Sequence, residues 1–122
     1  MTSSITGVEF LLWILKRRRR ITVVNHSMQP TFNSGDEILV NFNAYRSASP
    51  QINDVVVLAD PREAARQIVK RITDVDGDRY YLRGDNPSQS TDSRQFGWVE
   101  RHQIQGKVTC VFAAVKSDQS EL

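Results

Sequence analysis

A mainly β fold, built as one small curved antiparallel sheet or barrel with a short helix near the N-terminus, is the architecture this sequence predicts. Three observations carry that expectation. Short runs of β-branched and aliphatic residues recur from residue 21 onward. Segments rich in Gly, Asn, Asp, Ser and Pro separate them. One pair of runs is joined by Asp76-Gly77-Asp78, a hairpin signal. At 122 residues the chain fits a single domain and can fold without disulfide or metal staples.

Taken in chain order, Val8 to Leu15 reads Val-Glu-Phe-Leu-Leu-Trp-Ile-Leu and is expected to be a short helix packing Phe10, Leu11, Ile14 and Leu15 onto the body. It is too short for a membrane span, which needs about 20 apolar residues. Its basic residues follow the apolar run, the reverse of an export signal. Trp13 beside Lys16 to Arg20 suits a peripheral membrane contact through residues 8–20. Ile21 to Asn25 is a β-branched run, and Glu37 to Asn43 alternates with Ile38, Val40 and Phe42 on one face. Asp54 to Leu58 and Val108 to Val115 are apolar on both faces, as buried strands are. Gln67 to Val75 and Arg79 to Arg83 flank the hairpin turn. Turn-rich segments fill 45–53, 60–65 and 84–97. The chain divides into an apolar and basic segment (1–20), a β body (21–116) and a polar tail (117–122).

Composition narrows the function classes. Hydrophobic residues are 39% and charged residues 25%, as in a soluble globular protein, and the net charge is only +2. Arg17 to Arg20 is a local basic run, readable as a solvated edge or as an anion-seeking one. No helix-turn-helix or zinc-finger spacing accompanies it, so a nucleic-acid partner is not expected. The single cysteine, Cys110, lies among Val108, Val111 and Phe112 and reads as a buried inert thiol. No Cys–His cluster calls for a metal, and no cofactor is expected.

Two places hold chemistry. Residues 84–97 carry Asp85, Asn86, Ser88, Ser90, Asp92, Ser93 and Arg94 within a short span. Such a loop is either functional or an ordinary Asx- and serine-rich turn network. Lys70 lies in Gln-Ile-Val-Lys-Arg-Ile; in a strand it shares a face with Ile68 and Ile72, and Arg71 points the other way. A lysine on an apolar face either snorkels its head to water or loses its proton and becomes a base. A neutral lysine can activate a serine hydroxyl, a recognised variant of the serine triad. Ser27 follows the apolar run that starts at Ile21 and precedes a proline turn. His26 and His102 offer no clear substitute base.

Here the residues carry a resemblance. Ser27-Met28-Gln29-Pro30-Thr31 resembles the Ser-Met-x-Pro-Thr box of type I signal peptidases, and Gly35 to Val40 their following Gly-Asp-x-Val-Leu-Val strand. Val69-Lys70-Arg71-Ile72 resembles their lysine box. Gly84-Asp85-Asn86, Ser90, Asp92-Ser93-Arg94 and Gly97 resemble their last box. The resemblance implies a fold of the signal-peptidase and phage-repressor protease type. It implies Ser27 as nucleophile, Lys70 as general base and Ser90 as the group orienting the lysine. Asp92 and Arg94 would form an ion pair holding the loop with Gly84, Asp85 and Asn86. The Ser27 backbone N–H would serve the oxyanion hole, and Asn25, two positions earlier, is expected to add a side-chain donor. Met28 and Pro30 would stand on the substrate side.

This sequence also departs from the signal peptidases. They carry membrane spans ahead of the serine box, which are not expected here, and many carry a second β domain where this chain has only residues 72–83. The size and the 84–97 loop resemble the nickel-type superoxide dismutase maturation proteases. That branch implies a cytoplasmic endopeptidase removing a leader from the dismutase proprotein, with nickel belonging to the substrate. Three other readings stand beside it. One is a compact membrane-docked signal-peptidase-like enzyme cleaving secretory precursors. Another is a self-cleaving repressor, disfavoured because no Ala-Gly or Cys-Gly pair occurs and only 26 residues precede Ser27. The last is a non-catalytic β module that binds partners with residues 84–97.

Overall fold

The computed structural model describes residues 3–14 and 17–113. In order it contains β1 (Ser3–Ser4), α1 (Gly7–Ile14), β2 (Arg19–Thr22), β3 (Glu37–Asn41), β4 (Val55–Asp60), β5 (Glu63–Asp76), β6 (Arg79–Arg83), α2 (Ser93–Phe96), β7 (Val99–Glu100) and β8 (Ile104–Ala113). Short 3-10 turns lie at Pro87–Gln89 and Arg101–Gln103. The mainly β expectation holds. One sheet runs β2-β3-β8-β4-β5-β6-β7, each neighbour antiparallel to the next, and β1 joins β8 in parallel.

Strand β4 shows how so small a chain builds a site. Its residues 55–58 are all buried, and alternation splits them between two cores. Val55 and Val57 join Met28, Phe32, Ile38 and Val108. Val56 and Leu58 join Ile72, Tyr80, Leu82 and Val99. A strand covered on both faces reads as a continuous apolar run, which is how 54–58 reads in the sequence. The neighbouring β5 alternates as its sequence requires: Ile68, Lys70 and Ile72 are buried, whereas Val69 and Arg71 are half-buried on the other face. Lys70 is thus laid opposite Val56 in the middle of the sheet. Asp76 pairs with Arg79, so Gly77-Asp78 forms the tight turn, with Gly77 in the left-handed region (φ 63°).

β5 begins at Glu63, inside the segment 60–65 expected to be turn, and β8 begins at Ile104, four residues before the expected Val108. The structure differs from the sequence reading in four further places. The first strand after the helix is Arg19–Thr22, two residues earlier than the expected Ile21 to Asn25. The arginines are strand residues because their guanidinium groups cover aromatic rings. Arg19 lies 4.8 Å from the Phe42 ring centre, and Arg20 lies 5.5 Å from Trp13 and 5.1 Å from Phe112. Second, α1 does not seat Phe10 and Leu11 on the body; they are 46% and 54% exposed, and Trp13 stacks on Phe112 at 4.7 Å instead. Third, residues 84–97, expected as a turn-rich loop, also hold a 3-10 turn (Pro87–Gln89) and α2 (Ser93–Phe96). Fourth, β1 and β7, two residues each, carry no sequence periodicity that would announce them. The expectation for Leu15, the end of the β body after residue 113, and the polar tail lie outside the described residues.

Candidate active site

Ser27 is held by its backbone. After Thr22 the chain leaves β2, but Val23 still exchanges backbone hydrogen bonds with the 35–36 turn: its N–H donates to the Asp36 carbonyl (2.8 Å) and its carbonyl accepts from Gly35 (2.7 Å). The chain then turns, and Phe32 N–H closes onto the Met28 carbonyl (3.0 Å). Ser27, 4% exposed, therefore sits in a turn and not on the strand end. The 84–86 corner clamps that turn. Asn86 donates its backbone N–H to the Ser27 carbonyl (2.8 Å) and its side-chain amide to the His26 carbonyl (3.0 Å). The Asp85 N–H points at the Met28 sulfur (3.4 Å). Gly84 permits the approach: a Cβ there would lie 2.6 Å from the Ser27 carbonyl oxygen and collide with the Ser90 hydroxyl.

A single hydrogen-bond chain runs away from Lys70, which is only 3% exposed. Its amine donates to Ser90 Oγ (3.0 Å), and Ser90 Oγ donates to Asp92 Oδ2 (2.8 Å). The fully buried Asp92 also accepts from the Gly84 N–H (2.9 Å) and from Arg94 Nε (2.9 Å) and backbone N–H (3.1 Å). Burial alone would raise the Asp92 carboxyl; the Arg94 guanidinium, the Gly84 N–H and the Ser90 hydroxyl outweigh it and hold the group well below the usual carboxylate range. Asp92 also caps α2, with Gln95 Oε1 accepting its N–H (2.9 Å). The Lys70 ammonium is pushed down to about 8, chiefly by burial; Asp92 and Asp60 oppose the shift, and Arg94 and Arg62 add to it.

Two cavities meet at Asn25, Ser27 and Ile68. One, of about 140 Å³, is faced by both Ser27 and Lys70 and walled by Asp60, Arg62 and Arg66. The other, of about 40 Å³, is apolar, with Val23, Met28 and Val57 among its walls. Among the described residues, no hydrogen bond joins the Ser27 hydroxyl to Lys70; the structure brings them to one cavity. Asn25 is placed differently from expectation: its Oδ1 accepts the Ser27 N–H (3.1 Å), so the oxygen, not the amide, faces that donor. Pro30 is exposed and lines neither cavity, whereas Met28 is both core and cavity wall. Sequence reasoning missed the brace behind the site. Arg71 forms a two-pronged pair with Asp85 (2.8 and 2.9 Å), and Asp85 also accepts from the Thr31 hydroxyl (2.6 Å). The alternation that places Lys70 inward places Arg71 outward and could have prompted a search for its partner. Asp60, Arg62 and Arg66 gave no such signal, since a turn sequence does not reveal which cavity it borders.

The fold is thus a small antiparallel sheet that brings Ser27 and the buried Lys70 to one cavity. The family model for signal peptidase, peptidase S26, matches residues 5–79 and 73–113, and the chain belongs to that family of serine peptidases. Among curated proteins it is similar to the mitochondrial ATP-independent inner membrane protease subunit 1a of Arabidopsis thaliana (35% identity; 66% of this chain, 62% of the relative). It is also similar to the mitochondrial inner membrane protease subunit 1 of Schizosaccharomyces pombe (34% identity; 67% and 65%). A third relative is the mitochondrial inner membrane protease subunit 2 of Danio rerio (29% identity; 68% and 57%). The chain spans 57% to 65% of the length of these relatives.

Proposed function

We propose that this chain is an endopeptidase with a Ser27–Lys70 dyad that removes an N-terminal leader from a precursor protein. The observation that carries the reading is the direction of the chain from Lys70. Ser90 gives its proton to Asp92, so its oxygen can only accept from the lysine. The amine spends an N–H on Ser90 and keeps its lone pair for another partner. Neutral Lys70 takes the Ser27 proton as Oγ attacks the scissile carbonyl carbon. The protonated amine then gives that proton to the departing amine, and the C–N bond breaks to leave an acyl ester on Ser27. Lys70 next deprotonates a water that attacks the ester, and the ammonium returns that proton to Ser27 Oγ as the acyl C–O bond breaks, releasing the new carboxyl group. The oxyanion is received by the Ser27 N–H once the Asn25 oxygen moves off it, and a turned Asn25 amide supplies the second donor.

Nickel superoxide dismutase proprotein is the substrate the sequence resemblance points to, and the names of the curated relatives lend it no support. The membrane-docked alternative has its own observation. Val8, Phe10 and Leu11 of α1 are 67%, 46% and 54% exposed, with the half-buried to exposed arginines 17–20 following. That juxtaposition suits an anionic membrane surface. Among the described residues no helix is long and apolar enough to cross a membrane. The test incubates the chain and its Ser27→Ala and Lys70→Ala variants with the dismutase proprotein and with a secretory precursor, with and without anionic vesicles. Product N-termini are read by mass spectrometry. Leader removal that both variants lose supports the dyad. Which precursor is cut, and whether vesicles are needed, decides between the two substrates.

A further inference from the structure

Asp60 poses a question that the dyad does not answer. It sits at the end of β4, where the register shifts between Ala59 and Asp60, and its side chain is only 2% exposed. It accepts the Arg62 backbone N–H (2.9 Å) within the β4–β5 turn, across which Asp60 pairs with Glu63. Yet two guanidinium groups also converge on it, Arg62 Nε at 3.5 Å and Arg66 Nη2 at 3.2 Å. Those arginine side chains are 49% and 55% exposed and stand on the wall of the cavity that holds Ser27 and Lys70. Among the residues that line this cavity, one carboxylate, Asp60, faces two guanidinium groups and the Lys70 amine, and Glu63 is not one of them. Most of the five N–H donors on each arginine are uncommitted. Glu63 reaches Arg66 only at 4.0 Å and is itself 65% exposed.

We propose that Arg62 and Arg66 are specificity-determining residues that receive an acidic side chain of the substrate near the scissile bond. This rests on the protease reading above. The buried Asp60 fixes the two forks at the cavity mouth, and a substrate carboxylate completes their hydrogen bonding. The two cavities divide the substrate. Residues on one side of the bond meet the small apolar cavity, and those on the other meet the charged one. The acidic residue is expected within about three positions of the cut, roughly 10 Å of extended chain.

The test exposes a peptide library derived from a whole proteome to the full chain and maps the cuts by mass spectrometry. Asp and Glu are expected to be enriched about tenfold at one or two positions flanking the cut, the scale of a charge-assisted contact. The ratio is expected to fall to background in Arg62→Gln/Arg66→Gln. It should fall partway in Arg66→Gln, which leaves Arg62 on Asp60 and guards against loss of the fold. No acidic enrichment, or equal enrichment in the variants, overturns the assignment. Failure of the protease reading looks different: no cuts, or cuts that persist in Ser27→Ala. The assignment is then read by retention of the library on immobilised Ser27→Ala chain. Selective retention of acidic peptides, lost on removing the arginines, supports it; unselective retention, or none, overturns it.

Discussion

Lys70 shows how a residue can be tuned by its place in a strand. Alternation in β5 turns it toward an apolar core, and burial then disfavours its charge. Because the folded value, about 8, lies below the ordinary lysine value, the protonated amine costs stability at neutral pH. That cost is relieved as pH rises above about 8 toward the unfolded value. Lys70→Met is therefore expected to keep the fold, to melt at pH 7 no lower than the parent, and to lose turnover. The melting advantage should shrink or reverse by pH 10, which a pair of thermal scans checks. Lys70 was legible in the sequence because the period-two pattern of Ile68, Lys70 and Ile72 is local. The acceptor role of Asn25 was not, since the same side chain offers an oxygen and an amide and only tertiary placement selects between them.

At the scale of elements, the 84–97 segment is the brace of the site. Asp92 links Gly84, Ser90, Arg94 and the start of α2 through one buried carboxylate. Asp92→Ala strands those donors and is expected to cost about 3 kcal/mol, measured by denaturant unfolding. The Asp92 contribution is present above the ordinary carboxylate value near 4 and fades as pH falls through its depressed folded value. Gly84→Ala is expected to lower kcat about 100-fold while costing only about 1–3 kcal/mol, because its Cβ displaces Ser90 and the Ser27 carbonyl. The order within this segment was readable in part. Asp92-Ser93-Arg94-Gln95 has the spacing of a capping box, but the density of turn-forming residues around it masks a helix of four residues. Strand β2 was hidden for another reason: arginines score as loop or charge run until the rings beneath them are known.

At the scale of the whole molecule, β4 divides the interior into two cores, and the site forms where both approach the 27–28 turn and the 84–90 corner. The fold class and the family were legible because boxes far apart in sequence keep their order. The substrate was not, because cavity walls such as Arg62 and Arg66 come from a turn that composition does not connect to Ser27. The exposed face of α1 makes a whole-molecule prediction. Sedimentation with anionic vesicles is expected to exceed that with neutral vesicles, and Phe10→Asp/Leu11→Asp is expected to abolish it. Equal sedimentation of parent and variant would remove the membrane-docked reading.

The central claim is that Lys70, unprotonated, is the base for Ser27. It is tested most directly by the pH dependence of kcat/KM between pH 6 and 10 on one peptide found cleaved, for the parent and Lys70→Ala. A rise with a midpoint near 8, the value to which burial brings this amine, and a loss of at least about 1,000-fold in the variant are predicted. A flat profile, or a variant within tenfold of the parent, would contradict the account.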